Sequence, residues 1–144
     1  MVYLITGKQG AGKSTYAFHL VDELKKEGHK VYWLDGDAWR KKNENDDFTD
    51  KGRYKNLISA AKAAQDKEKE GYICVLSFIA PRKGWRDSMR EHWKCSHIIY
   101  IPGGKLWEGT VYEKPDLEEL CAVIHGRLLS VDGQYILLSN KDKG

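Results

Sequence analysis

The sequence predicts a three-layer α/β fold, in which helices cover both faces of a mostly parallel sheet. Short apolar segments that are typical of buried strands alternate along the chain with longer segments of helical periodicity. In addition, the first strand is followed by a loop, a helix and a second strand, which is the order of a βαβ unit. Because such a unit crosses over the sheet, its two strands have to run parallel.

Strands and helices follow from the pattern of apolar residues. The strands are short apolar runs without polar alternation, as expected of strands that are buried on both faces. The helices repeat apolar residues at three- and four-residue spacing, as Tyr16, Leu20 and Leu24 do in the first helix, which stops at Gly28. In chain order the predicted elements are strand 2–6, helix 13–27, strand 30–34, helix 52–70, strand 72–78, helix 85–93, strand 97–101, helix 116–129 and edge strand 134–139.

The local signals differ from element to element. The run 72–78 (Tyr-Ile-Cys-Val-Leu-Ser-Phe) is the clearest buried strand, and the polar stretch 41–51 is predicted to be a loop. Pro102-Gly103-Gly104 breaks the strand at 97–101. The last helix is predicted from apolar residues at helical spacing, namely Leu117, Leu120, Val123, Ile124 and Leu128.

Length, composition and charge indicate a compact, single-domain protein. The 144 residues suit one compact domain, 1–144, and 41% hydrophobic residues supply a core without an apolar run long enough to cross a membrane. The first residues lack the order of regions of a signal peptide, so we expect a cytoplasmic protein. The net charge of +3 is spread along the chain without a basic stripe, and nucleic acid is not an expected partner. The dispersed cysteines, Cys74, Cys95 and Cys121, fit reduced thiols.

A phosphate-binding loop follows the first strand and predicts a P-loop NTPase fold. Residues 7–14 (Gly-Lys-Gln-Gly-Ala-Gly-Lys-Ser) match the Walker A pattern and stand between a strand and an amphipathic helix, as that motif requires. Glycines let successive N–H groups point at one phosphate, Lys13 can reach the β- and γ-phosphates, and the Ser14 hydroxyl can ligate Mg²⁺. The predicted nucleotide-binding residues are Gly7, Lys8, Gln9, Gly10, Ala11, Gly12, Lys13, Ser14 and Thr15.

Two carboxylates are predicted at the same edge of the sheet. Asp35 and Asp37 come directly after the second strand, and open α/β sheets bind ligands at the carboxyl ends of their strands. The third strand offers no Walker B aspartate, so these two residues are the nearest candidates to orient an acceptor hydroxyl or the water shell of Mg²⁺. The alternative is an Asp-Gly turn that serves structure alone. We predict Lys13, Asp35 and Asp37 as the catalytic residues.

Basic residues follow in polar segments near the predicted strand ends. Arginine binds oxyanions in bidentate geometry, which lysine does not. Each of these residues alone is typical of a protein surface, but as a set around a phosphate site they favour an acidic acceptor. They are Arg40, Arg53, Lys83 and Arg86.

The chain resembles the adenylylsulfate kinase (APS kinase) family in several stretches. These are residues 7–15, the segment Asp35-Gly36-Asp37-Ala38-Trp39-Arg40, the stretch from Phe48 through Arg53 to Asn56, and Ser77-Phe78-Ile79-Ala80-Pro81 through Arg86-Asp87. Asp-Gly-Asp and Ser-Phe-Ile-Ala-Pro are much more specific than the Walker motif. The resemblance covers roughly residues 1–91. It implies transfer of the γ-phosphoryl group of ATP, with Mg²⁺, to the 3′-hydroxyl of adenosine 5′-phosphosulfate (APS), giving 3′-phosphoadenosine 5′-phosphosulfate (PAPS).

The resemblance also implies roles at the acceptor site. Asp35 would orient or deprotonate the 3′-hydroxyl. Arg40 and Arg53 would hold the phosphosulfate, because fixed guanidinium groups suit that anion. Phe48 would stack on the adenine, since a planar base favours an aromatic face. The substrate-binding residues predicted in this way are Asp35, Asp37, Arg40, Phe48, Arg53, Asn56, Ile79, Lys105 and Trp107.

The chain departs from the family after the fourth strand. The family has a long lid rich in arginine and lysine there, whereas this chain has only residues 102–110 before Tyr112-Glu113-Lys114-Pro115, so roughly twenty residues are missing. Lys105 and Trp107 are the candidates to replace the lid lysine and a second adenine-stacking aromatic residue; alternatively, Trp107 packs on the edge of the core. Further departures from the usual Asn, Ser and Arg of the family are Ala38, Ala80 and Lys83.

Other functions are open at this point. Another small P-loop kinase, acting on a nucleoside, a sugar or a 5′-hydroxyl polynucleotide end, would explain the missing lid. A nucleotide-binding protein without turnover would also explain it, although the sequence contains Lys13, Ser14 and Asp35. A GTPase is disfavoured, because Asn140-Lys141-Asp142 lacks the spacing of a guanine-reading motif. The oligomeric state is open, with a homodimer as one option.

Overall fold

A sheet of parallel strands forms the centre of the structure, a computed structural model that describes residues 1–106, 110–116 and 118–123. The elements are β1 (Val2–Thr6), α1 (Lys13–Lys26), β2 (Val31–Asp35), α2 (Gly36–Lys42), α3 (Asp50–Lys69), β3 (Ile73–Ser77), α4 (Lys83–Arg90), β4 (Ser96–Tyr100) and β5 (Leu120–Val123). The strand order is β2-β3-β1-β4-β5, and every described pairing is parallel. The first strand therefore lies in the middle of the sheet, with paired neighbours on both sides.

Helices lie on both faces of the sheet and enclose two separate cores. Side chains alternate along β1, so that Val2 and Leu4 pack with α3 and α4, whereas Ile5 packs with α1. Buried alanines of α3, among them Ala60 and Ala64, let this helix approach the sheet closely. This arrangement confirms the predicted three-layer α/β fold. Within the described residues, no helix is both long enough and apolar enough to cross a membrane.

Helix α2 was not predicted, and the reason is visible in its packing. It spans Gly36–Lys42 and buries no residue, so it has no apolar periodicity for sequence analysis to detect. It begins directly where β2 ends, at Asp35. The predicted loop is accordingly shorter than 41–51. It ends at Thr49, whose side chain accepts a hydrogen bond from the backbone N–H of Gly52 at 3.3 Å and so caps α3.

The prediction of a helix at 116–129 was wrong for its central part. The structure has a strand, β5, at Leu120–Val123, paired in parallel with β4. The physical reason is that the free edge of β4 offers unpaired backbone groups, and pairing with them outweighs the local helical spacing of leucine and valine. Residues 124–129 and the predicted edge strand 134–139 lie outside the described residues.

Strand register brings three functional segments to one edge of the sheet. Asp35, the last residue of β2, pairs with Ser77, the last residue of β3, and Ser77 in turn pairs with Ile5 of β1. The Walker A loop leaves β1 at Thr6, one residue further on. The first turn of α1, the Asp35 carboxylate and the Ser77 hydroxyl are consequently neighbours in space although they are far apart in sequence.

We expect the Leu4→Ala variant to lose about 2–5 kcal/mol of unfolding free energy, because it leaves a cavity in the core between the sheet and α3. Leu4 is fully buried, whereas Leu106 is 47% exposed. Leu106→Ala makes the same chemical change at an exposed position and should alter stability by no more than about 0.5 kcal/mol. Urea denaturation of both variants checks this, and equal losses would contradict the assignment of the core.

Candidate active site

The Walker A loop has the backbone conformation that phosphate binding requires. Gly10 and Gly12 have φ angles of 77° and 102°, in the left-handed region that favours glycine. Helix α1 starts at Lys13 without a side-chain cap on its first turn, so its N–H groups and the positive end of its dipole face the loop. The loop and helix together form a concave surface suited to an anion.

Lys13 lies inside this loop. Its ammonium donates a hydrogen bond to the backbone oxygen of Lys8 at 2.8 Å. Burial lowers the pKa of Lys13, and the nearby carboxylates of Asp37 and Asp35 oppose that effect. The ammonium is therefore partly desolvated, and no carboxylate among the described residues is in direct contact with it. A phosphate group would restore the favourable environment for its charge.

Asp35 is the centre of a hydrogen-bond chain that joins the Walker A loop to β3. Its Oδ1 accepts hydrogen bonds from Ser14 Oγ at 2.6 Å and from Ser77 Oγ at 2.8 Å. Ser77, in turn, accepts a hydrogen bond from the indole Nε1 of Trp33 at 3.0 Å. The indole orients the Ser77 hydroxyl, and the two hydroxyl groups fix the carboxylate next to the first turn of α1. The sequence indicated Asp35 and Ser14 but not their direct contact.

Arg40, Phe48 and Arg53 form a basic and aromatic cluster. The guanidinium of Arg40 stacks over the Phe48 ring, with its central carbon 4.6 Å from the ring centroid. Arg40 also donates hydrogen bonds to the backbone oxygens of Asn45 at 3.2 Å and Asp47 at 3.1 Å, and Arg53 donates to that of Phe48 at 2.9 Å. Phe48 is 63% exposed. Both guanidinium groups are thus held in place mainly by backbone oxygens.

The positive charges of Arg40 and Arg53 lie close enough to affect each other. Desolvation lowers the pKa of Arg40, and the nearby charge of Arg53 lowers it further. Asp37 and Asp47 act in the opposite direction. Because two guanidinium groups repel each other at this site, an added anion would be stabilised by both.

Asn56 lies one helical turn from Arg53 on α3 and is 6% exposed. Its Oδ1 is buried and accepts no hydrogen bond within the described residues. A buried oxygen without a donor destabilises the folded state. Such an atom beside the basic cluster is consistent with a site that a ligand donor completes.

Lys83 and Arg86 do not join the set of anion-binding residues, contrary to the sequence-based prediction. Lys83 is exposed and pairs with Asp87 on its own helix at 3.2 Å. Arg86 is fully buried and forms an ion pair with Glu119. Its charge is already neutralised by a carboxylate, so it is unavailable to an anionic ligand. Sequence analysis could not distinguish it from Arg40, because its partner is distant along the chain.

The segment that follows β4 lies against the Walker A loop. Lys105 donates its backbone N–H to the Gln9 backbone oxygen at 2.9 Å, in an isolated antiparallel bridge. Gly104 has φ 76°, and a Cβ there would lie 2.5 Å from the same oxygen, so the close approach requires glycine. Lys105 also lines an open cavity of about 500 Å³ with Gln9, Gly10 and Gly104. Trp107 lies outside the described residues.

Sequence comparisons relate the chain to one family of known proteins. The sequence model of the adenylylsulphate kinase family matches residues 1–102. A probable adenylyl-sulfate kinase of Aeropyrum pernix is 35% identical over 121 residues, which are 83% of this chain and 62% of that protein. Adenylyl-sulfate kinase 3 of Arabidopsis thaliana is 37% identical over 101 residues, 69% of this chain and 49% of that protein. The chain thus spans about half to three fifths of the length of these curated relatives.

Solved structures support the fold. An APS kinase of Mycobacterium tuberculosis matches 97% of this chain and 96% of that chain with a TM-score of 0.80, at 21% identity, a likeness that concerns the fold alone. A hexameric APS kinase from Thiobacillus denitrificans is 28% identical, covers 99% of this chain and 29% of that chain, and has a TM-score of 0.79. Because the family's sequence model matches more than half of the residues, the chain belongs to the adenylylsulphate kinase family.

Proposed function

We propose that the protein transfers the γ-phosphoryl group of ATP to the 3′-hydroxyl of APS, giving PAPS and ADP. The observation that carries this proposal is the contact of Asp35 with Ser14, which joins a carboxylate to the phosphate-binding loop. A kinase needs a group that orients the acceptor hydroxyl immediately beside the donor phosphates. Membership of the adenylylsulphate kinase family supports APS as the acceptor.

The donor site consists of the Walker A loop and its cations. The N–H groups from Gly7 to Thr15 would bind the phosphates of ATP, with Lys13 as the compensating charge. Ser14 uses its hydroxyl proton on Asp35, so the lone pairs of its oxygen are available to Mg²⁺. The Mg²⁺ ion would neutralise charge that develops on the transferred phosphoryl group.

Asp35 has a free oxygen for the acceptor. Its Oδ1 accepts from Ser14 and Ser77, whereas within the described residues no hydrogen bond reaches its Oδ2. We assign Oδ2 to the 3′-hydroxyl of APS, whose proton it would accept as the hydroxyl attacks. Asp37 is exposed and lies two residues after Asp35, in α2. Its negative charge would favour the protonated form of Lys13.

The acceptor site consists of the cluster around Phe48. Arg40 and Arg53 present guanidinium groups that are fixed by backbone oxygens, which suits the phosphosulfate. Arg40 covers one face of the Phe48 ring, and the large exposed area of that ring supports stacking of the adenine on Phe48. Asn56 Oδ1 would accept a hydrogen bond from the bound nucleotide, which removes its unsatisfied state.

We expect APS-dependent formation of ADP, with PAPS as the product, in a coupled assay. The Asp35→Ala variant should lower this turnover by about 10²- to 10⁴-fold, because it removes the group that accepts the hydroxyl proton. Asp22→Ala removes an exposed carboxylate of α1 and should leave turnover unchanged. If ATP binds but APS supports no turnover, the acceptor assignment is wrong, and a panel of nucleosides and sugars becomes the next assay.

We also expect ATP hydrolysis in the absence of APS. The short segment around Lys105 covers less of the donor site than a long lid would, and exclusion of water depends on such a cover. Phosphate release without acceptor measures this activity, and the Lys13→Ala variant controls for contaminating ATPases. A strict dependence on APS would show that the site excludes water without a long lid.

The Asn56→Leu variant should be as stable as the wild type or more stable, by up to about 1–2 kcal/mol, while its KM for APS rises. The reason is that leucine removes the buried, unpaired oxygen together with its proposed ligand contact. Asn45→Leu is the matched control. Asn45 accepts from Arg40 and donates to the Gly52 backbone oxygen, so that variant should lose stability in urea denaturation. A clear loss of stability in Asn56→Leu would contradict the assignment.

A further inference from the structure

The loop that follows β3 has an unusual backbone conformation. Ala80 has φ 43°, in the left-handed region that residues other than glycine seldom adopt. Ala80 is also 1% exposed, so this conformation is enclosed by protein. Such a conformation persists only where the surroundings determine it. The contacts of residues 79–81 show which groups do so.

Three successive carbonyl oxygens of this loop are bound by three different parts of the chain. Thr6, at the end of β1, donates its hydroxyl to the Ile79 oxygen at 2.5 Å. Arg86, on α4, donates Nη1 to the Ala80 oxygen at 2.7 Å. The backbone N–H of Glu113 donates to the Pro81 oxygen at 2.6 Å. The loop is consequently held by the central sheet, by helix α4 and by the segment around Glu113.

The buried ion pair connects these contacts. Arg86 pairs with Glu119 through Nε, and its Nη2 lies 3.3 Å from the second oxygen of the same carboxylate. Nη2 also donates to the Glu113 backbone oxygen at 2.8 Å. One guanidinium therefore binds both the loop after β3 and the segment 113–119, and its carboxylate partner keeps it in that position.

Tyr112 completes the arrangement at the Walker A loop. A threonine hydroxyl has one proton, and Thr6 uses it on the Ile79 oxygen, so the Tyr112 hydroxyl is the donor in its 2.9 Å contact with Thr6. The phenol of Tyr112 is protonated at neutral pH and can donate, and burial raises its pKa further, to about 12. Thr6 immediately precedes Gly7, the first residue of the phosphate-binding loop.

We propose that Thr6, Arg86, Tyr112 and Glu119 form a positioning clamp, which fixes the loop 79–81 relative to the Walker A loop. This inference rests on the proposed function, in which the Walker A loop binds ATP, and on the family resemblance, which implies that Ile79 lines the acceptor site. Phosphoryl transfer requires the attacking and leaving oxygens to lie in line, and small displacements of the reactants slow such reactions strongly. The clamp sets the distance between the two substrates without contacting either.

The Tyr112→Phe variant tests the clamp, because it removes one donor and keeps the ring that stacks on Tyr100. We expect kcat/KM for APS to fall by about 10-fold while the KM for ATP changes by less than about twofold. Tyr72→Phe, immediately before β3 and at the opposite end of that strand from the loop, is the matched control and should change neither constant. A Tyr112→Phe enzyme with wild-type kcat/KM for APS would overturn the proposal, whatever its thermal stability.

Thr6 provides a second pair of variants. Thr6→Val keeps the shape of the side chain but removes the hydroxyl that joins Tyr112 to the Ile79 oxygen. Thr6→Ser keeps the hydroxyl. We expect Thr6→Val to reproduce the loss of kcat/KM for APS and Thr6→Ser to restore most of it. Equal kinetics for the two variants would overturn the role of this hydroxyl.

Amide hydrogen exchange tests the clamp without any substrate, so its result is independent of the proposed function. The Lys83 N–H donates to Glu113 Oε1 at 3.0 Å and reports on the loop directly. Exchange in peptides covering residues 79–86 should become several-fold faster in Tyr112→Phe and stay unchanged in Tyr72→Phe. Unchanged exchange in Tyr112→Phe would overturn the clamp. If exchange is faster in Tyr112→Phe but the wild-type protein does not turn over APS, the clamp is supported and the proposed acceptor is refuted.

Discussion

The pairing of β1 with β3 on one side and β4 on the other is the constraint on which the rest of the structure depends. Parallel pairing fixes which residues end their strands at the same level, and here it places Thr6, Ser77 and Asp35 at one edge. The Walker A loop leaves the sheet from the middle strand, so it has a functional segment on each side. A shift of register by one residue would separate Asp35 from Ser14 and reverse which side chains face each core.

The basic residues of the structure differ in whether their charge is neutralised within the fold. Lys13, Arg40 and Arg53 are held chiefly by backbone oxygens, which orient a cation without cancelling its charge. Arg86 is held by a buried carboxylate as well, and its charge is neutralised within the fold. The type of partner, more than the exposure of the side chain, therefore indicates whether a basic residue serves binding or structure.

Much of the fold and part of the site could be predicted from local sequence. The Walker A loop was predictable because its glycines and Lys13 are required by the chemistry of phosphate binding, and Asp35 because it ends a recognisable strand. The limits have a common physical cause. Helix α2 has no fully buried residue and leaves no periodic signal, since only Trp39 packs partly against the core. Strand β5 depends on pairing with β4 in place of local propensity. The Arg86–Glu119 pair joins residues 33 positions apart, which a local pattern does not reveal.

The conformation of Ala80 limits how this position can vary in evolution. A left-handed backbone disfavours β-branched residues most strongly, and near-complete burial leaves no room for a long side chain. Glycine would relieve the backbone strain but would also free the loop in the unfolded chain, at an entropic cost to folding. The backbone and the burial together therefore favour a small side chain that is not β-branched at this position.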